Sequence, residues 1–189
     1  MTNDVHALVS LLQKDSLRLH LLKLVHDVSG PECWLAAGFV RDAVWGQLHG
    51  FQPTKPQGDI DLVWFDTQRT DQEHDTLLEQ ALRLKAPEYL WSVKNQARMH
   101  LRNGDAPYQS VADAMRHWPE TATAVAVRLG PTGCIEVNAP FGLDDLFQLR
   151  LKPGPCFLHA KHVMFEERVR KKNWLQRFPL LRVEGKDVG

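Results

Sequence analysis

The stretch GDIDLVWFD, residues 58–66, decides how this chain is read. Ile60, Leu62, Val63, Trp64 and Phe65 are apolar and mark a strand that enters a core. Asp59 and Asp61 stand two residues apart at its start, and residues at that spacing in a strand share one face. Two carboxylates on one face repel each other. Near an apolar interior each also loses hydration, which is costly unless the charge is paired or bound to a metal. A solvated strand start, with Asp59 capping a turn after Gly58, is the structural alternative.

Upstream, AAGFVRDAVWG (36–46) favours the metal reading. The apolar run CWLAA (33–37) reads as a short strand, Gly38 as a turn and residues 40–48 as a helix. Gly38 lets the backbone approach a ligand closely. The helix start offers unpaired N–H groups and the positive end of a dipole, a natural anion site. Arg41 can add a charge-assisted fork to phosphate oxygens. With this turn beside the strand of Asp59 and Asp61, one half of the site holds phosphate and the other a divalent cation. Mg²⁺, or Mn²⁺ in its place, suits such a set: a hard ion bound by one or two carboxylates together with substrate phosphates.

The remaining pattern is mixed. Residues 4–28 carry apolar positions at helical spacing, broken near Ser16. A polar loop (49–58) precedes the acidic strand, a Leu- and Glu-rich helix covers 71–85, and Tyr89–Val93 reads as a strand. Helical segments are expected at 95–102 and at 111–117, the latter capped by Ser110. ATAVAVRL (122–129) and CIEVN (134–138), joined through Gly130–Gly133, form the strongest hairpin signal. A helix basic at its end covers 159–173, and 174–184 reads as an irregular tail. The fold class is α+β: a mixed sheet flanked by helices, in one domain. Residues 1–30 form an N-terminal helical segment, 31–153 a catalytic core, and 154–189 a C-terminal helix and tail.

Composition limits the function. Lys plus Arg equals Asp plus Glu at 23 each, so no global charge argues for nucleic acid, and a phosphate-binding surface must be local. Hydrophobic residues make up 43%, enough for a core. There is no long apolar run to span a membrane. MTNDVHALVS lacks the basic and apolar regions of a signal peptide. Cys33, Cys134 and Cys156 are scattered, as expected of free thiols in a reducing cytoplasm.

The strand, glycine turn, V-R-D helix and later D-x-D resemble the head of the polymerase-β-like nucleotidyltransferases. The likeness is closest to bacterial poly(A) polymerases and tRNA CCA-adding enzymes, with G-G-x-V-R-D followed by D-x-D. The chain matches at Gly38, Val40, Arg41, Asp42, Asp59 and Asp61 and departs at Ala37, where that family has its first glycine. Residues 119–146, PETATAVAVRLGPTGCIEVNAPFGLDDL, are similar to the family's R-D-F-T-I-N-A-L-A hairpin and the I-D-P-F-G-G-L-x-D-L that follows. Thr121 or Thr123 falls on the family threonine, and no arginine stands at Trp118, Pro119 or Glu120, where the family opens with one. The chain from about residue 30 to 180 also looks like a bacterial family of nucleotidyltransferases assigned by fold and motif. The resemblance implies a metal-dependent transfer of a nucleoside monophosphate from a nucleoside triphosphate to an acceptor hydroxyl, with release of pyrophosphate. Such sites often take a third carboxylate from a neighbouring strand. Glu136 is the candidate for it, with an exposed edge-strand charge as its alternative. Arg98, in NQARMH, is the substitute for the missing phosphate arginine, with a solvated helix face as its alternative.

Only one helix and a tail follow residue 150, too little for the helical neck and body with which CCA-adding enzymes select the base and hold tRNA. The acceptor stays open among a small molecule, a protein side chain and an RNA end. The basic residues Arg168, Arg170, Lys171, Lys172 and Arg177 read as a charged helix end before they read as a nucleic-acid track. Two rival readings remain: a nucleotide-binding module without turnover, and an interaction protein on the same fold.

Overall fold

The computed structural model describes residues 3–185. Two helices, α1 (Asn3–Lys14) and α2 (Ser16–Ser29), open the chain. The break between them is made by Asp15, which caps α2 by accepting from the Arg18 amide at 3.0 Å. The Arg18 guanidinium is buried. It donates back to Asp15 at 2.7 Å and on to the carbonyls of Phe39 and Thr54 at 2.9 Å each. This ion pair ties the helical corner to the glycine turn and to the loop that delivers Asp59.

Five strands form one sheet in the order β3-β2-β1-β4-β5: β1 (Trp34–Ala36), β2 (Asp59–Trp64), β3 (Leu90–Asn95), β4 (Ala126–Leu129) and β5 (Ile135–Asn138). β2 and β3 run parallel, joined by α4 (Glu73–Lys85); the other pairs are antiparallel, β4 and β5 being the expected hairpin. The mixed sheet confirms the α+β expectation. Leu35, Ile60, Leu62, Trp64, Trp91 and Val127 alternate onto one face and join the main core with α2, α4 and α3 (Gly38–Leu48). The opposite face carries Asp59, Asp61 and Val63 on β2 and small residues, Ala36 and Ala126, on its neighbours. The short helices α5 (Met99–Asn103) and α6 (Val111–Met115) lie after β3, and α6 packs Val111 and Met115 over Ala36, Val63 and Ala126.

The C-terminal third is less irregular than its sequence implies. After α7 (Asp144–Phe147) and the short strand β6 (Arg150–Leu151), helix α8 runs from His162 to Lys171, three residues shorter at its start than expected and preceded by a 3₁₀ turn at Pro155–Phe157. Residues 174–184 then form helix α9 (Trp174–Arg177) and strand β7 (Arg182–Val183), which pairs in parallel with β6. Trp174, Phe178 and Leu181 anchor this strap in the core, where Trp174 and Phe178 meet Trp45 edge-on at 5.8 and 5.4 Å.

Candidate functional site

The site grows from the junction of β1 and α3. The Ala37 amide donates to the Val125 carbonyl at 3.0 Å, and the Ala37 carbonyl accepts the amides of Val40 and Arg41 at 3.0 and 2.9 Å. Ala37 holds this corner at φ 54°, ψ −122°, a conformation natural to glycine and strained for alanine. The departure from a double glycine therefore shows as strain at Ala37. Gly38 follows as the first residue of α3. A Cβ there would meet Arg41 Nη2 at 3.2 Å, so the missing side chain makes room for the guanidinium beneath the turn.

Arg41 lies deeper than the sequence implies. It is 6% exposed, donating through Nη1 to Thr123 Oγ1 at 3.0 Å and through Nε to Asp42 Oδ1 at 2.9 Å. Its guanidinium lies 4.5 Å from the Trp174 ring and 5.1 Å from that of Trp45. Asp42 also accepts from Arg177 at 3.0 Å. Arg41 thus braces the turn from below and contributes positive potential there.

Asp61 is half-buried in the row Ser92–Asp61–Ala36–Ala126–Asn138, and Asp59 lies exposed two residues away on the same face. Neither carboxylate has a hydrogen-bond or ion-pair partner among the described residues. Burial pushes the Asp61 carboxyl above its ordinary value, and Asp59 adds to the rise. Lys94, then Arg41 and Lys172, act against it. The donor set fits a hard divalent cation: two carboxylates on one face, unpaired, one with its charge penalised by burial.

The other two sequence candidates lie elsewhere. Glu136 is on the edge strand β5, opposite Arg128, and accepts from its Nε at 2.7 Å. Three strand steps separate β5 from β2, about 14 Å at the usual spacing. The hairpin strand next to β1 is β4, and it presents Ala126, not a carboxylate, to the Asp61 row. Among the described residues no three His, Cys, Asp or Glu side chains cluster. Arg98 is likewise diverted. It pairs with the buried Asp75, which also accepts the Trp64 indole N–H at 2.6 Å and the Asn95 amide at 3.1 Å. Arg98 therefore faces α4, away from Asp61.

A cleft of about 590 Å³ opens from Asp61. Its cations are Lys94 from β3, Arg102 from α5, Lys161 just before α8 and Arg168 within it, and its apolar wall includes Trp118, Phe157 and Met164. The sequence shows 161, 164 and 168 at one-face helical spacing, but only the tertiary path reveals that this face meets the sheet. Trp118 lines the cleft, while Trp174 is fully buried and serves packing.

A nucleotidyltransferase family model matches residues 23–183. No curated protein sequence matches the chain. Among solved structures, the chain is similar to a protein whose NMR structure reveals a CCA-adding enzyme head domain. That match has 32% identity and a TM-score of 0.82, and covers 95% of each chain. It is also similar to a CCA-adding enzyme in complex with ATP (17% identity, TM-score 0.58, 93% of this chain and 42% of that one). The Thermotoga maritima CCA-adding enzyme complexed with tRNA gives 17% identity and a TM-score of 0.53, with 89% and 38% coverage. The chain thus spans about two-fifths of the length of those two enzymes, and at such identity they speak for the fold alone. By family match over most of its length and by its fold, the chain belongs to the nucleotidyltransferase family, of the polymerase-β-like superfamily, with the architecture of a CCA-adding enzyme head domain.

Proposed function

We propose that the protein transfers a nucleoside monophosphate from a nucleoside triphosphate to an acceptor hydroxyl, in dependence on Mg²⁺ or Mn²⁺, and releases pyrophosphate. The observation that carries this reading is the unpartnered pair Asp59 and Asp61, on one face and beside the glycine turn, with Asp61 lining a cation-lined cleft. Asp59 and Asp61 would hold the divalent cation, which when bound offsets their repulsion and stabilises negative charge on the reacting phosphates. The Gly38 backbone at the start of α3 would hold the phosphates, and Arg41 fixes that turn while adding positive potential. Lys94, from the strand beside β2, balances the charge around Asp61. Catalysis on this arrangement is mostly positioning and electrostatics.

The acceptor is a small molecule, a protein side chain or an RNA end. Relatives in complex with ATP, CTP or tRNA support nucleotide as the donor and keep RNA among the acceptors. The rival reading is a module that binds nucleotide without turnover.

Thermal shift against ATP, GTP, CTP and UTP, each with Mg²⁺ or Mn²⁺, tests the site, with Asp59→Ala/Asp61→Ala as control. A metal-dependent rise, absent from the control, is expected. Pyrophosphate release then separates the enzyme from the binding module. No shift with any nucleotide at millimolar concentration would refute both.

A further inference from the structure

Glu120 is fully buried, with 0% exposure, and its backbone is pinned on both sides. It bridges to Pro153, while the Gly154 amide donates to the Pro119 carbonyl at 2.8 Å and the Thr121 amide to the Lys152 carbonyl at 3.1 Å. A Cβ on Gly154 would stand 2.3 Å from the Trp118 carbonyl oxygen, so the two segments are locked in close contact. One carboxylate oxygen, Oε1, accepts from Arg168 Nε at 2.6 Å, and the other, Oε2, is buried without a partner.

For stability alone this is a poor arrangement. A buried carboxylate with half its acceptor capacity unused carries a desolvation cost that a single ion pair offsets only in part. What the contact achieves is orientation. Bonding through Nε leaves both Nη groups of Arg168 outside the ion pair, and neither bonds any described residue. The Trp174 ring lies 5.6 Å from the guanidinium. Arg168 itself is about one-third exposed and lines the cleft that holds Asp61, Lys94 and Thr123. A fork with two unused N–H-bearing ends, fixed at its base by a rigid anion, matches the non-bridging oxygens of a polyphosphate.

We propose that Arg168, delivered by α8 and positioned by Glu120, binds the polyphosphate tail of the nucleotide, the part that leaves as pyrophosphate. This rests on the nucleotidyltransferase reading of the cleft. It assigns the role to neither Arg98, committed to Asp75, nor Arg41, enclosed beneath the turn. Glu120 is a positioning residue and acts through Arg168.

Isothermal titration with inorganic tripolyphosphate, and with ATP and Mg²⁺, tests this on the full chain, with adenosine as the phosphate-free control. Arg168→Gln keeps a donor for Glu120 and removes the fork. It is expected to weaken tripolyphosphate and ATP by about tenfold or more, leaving adenosine unchanged. Arg168→Lys regains part of the loss. Glu120→Gln weakens polyphosphate binding in the wild-type background and has no further effect with Arg168→Gln, as an effect transmitted through one residue must. A variant damaged only in folding would lose adenosine as well. Tripolyphosphate binding by Arg168→Gln within twofold of wild type overturns the assignment while leaving the nucleotidyltransferase reading intact. A wild-type chain that binds neither tripolyphosphate nor ATP overturns both.

Discussion

The amide of Ala37 is bonded to the carbonyl of Val125 at 3.0 Å, and this bond sets the corner from which the first helix of the site departs. The corner holds a non-glycine residue at positive φ. Strain of this kind costs about 1–3 kcal/mol, against about 0.8 kcal/mol for the one buried methyl and a similar entropic cost for glycine in the unfolded chain. Ala37→Gly is therefore expected to be neutral or to stabilise by up to about 1 kcal/mol, whereas a β-branched residue, as in Ala37→Val, destabilises. Denaturant unfolding of the two variants checks the order; a loss of stability in Ala37→Gly equal to that of Ala37→Val would show the turn to be unstrained.

Asp61→Asn tests the cost of the unpaired carboxylate. Because the folded carboxyl sits above its ordinary value of 3.8, the folded state holds that proton more tightly than the unfolded state. The charge therefore destabilises the metal-free protein progressively as pH rises above 3.8, and the full penalty is present at neutral pH. With chelator present, Asp61→Asn is expected to melt higher than wild type at pH 7, by about 2–4 °C per kcal/mol released. The gap should close as the pH approaches 4. Added Mg²⁺ with nucleotide should raise wild type and leave the variant unmoved. A variant that melts lower than wild type throughout would mean Asp61 has a structural partner.

Glu136→Gln separates an ion pair from a metal ligand. The pair with Arg128 is partly exposed, and its loss should cost no more than about 1 kcal/mol. Metal-dependent nucleotide binding is expected to stay within twofold of wild type. A tenfold loss would return Glu136 to the site.

Asp75→Ala should be the most damaging of these changes. The carboxylate satisfies the Trp64 indole, the Asn95 amide and Arg98 together, all in the core behind β2 and β3. Leaving these donors and a partly buried guanidinium without the carboxylate costs about 3–5 kcal/mol. Urea unfolding measures it directly. A loss below about 1 kcal/mol would show that water takes over the partners.

The cysteines should react unequally. Burial pushes the Cys33 thiol up to about 12, while Cys134 and Cys156 are exposed. A thiol reagent at pH 8 is expected to modify two of the three in the native protein and the third only on unfolding. Three fast-reacting thiols in native buffer would contradict the packing of β1.

Some of this was legible in the sequence because it is local. Period-two alternation around Asp59 and Asp61, the apolar-glycine-helix order at 33–48 and the Gly-bounded hairpin at 122–138 each depend on neighbours in the chain. The positions of Glu136 and Arg98 were not legible, because they depend on sheet order and on partners. The strand beside β1 proved to be β4, so the hairpin's other strand carried Glu136 to the edge. Asp75 captured Arg98 across 23 residues of sequence separation. Lys94 was missed altogether and Arg168 was read only as part of a charged helix end, because both are ordinary cations until the fold turns α8 over the sheet. Glu120 gave no signal either: a carboxylate beside a proline looks solvated until the 152–154 segment closes on it.

The strap that packs Trp174 against Arg41 and Arg177 against Asp42 also sets an order of events during synthesis. A ribosome emits the turn, the acidic strand and most of the sheet long before it emits residues 174–183. Until then Arg41 lacks the Trp174 indole, Asp42 lacks Arg177, and the 150–151 strand has nothing to pair with. A nascent chain stalled before residue 174 should therefore carry both aspartates and yet hold nucleotide poorly, gaining its grip only once residues 174–183 have cleared the exit tunnel.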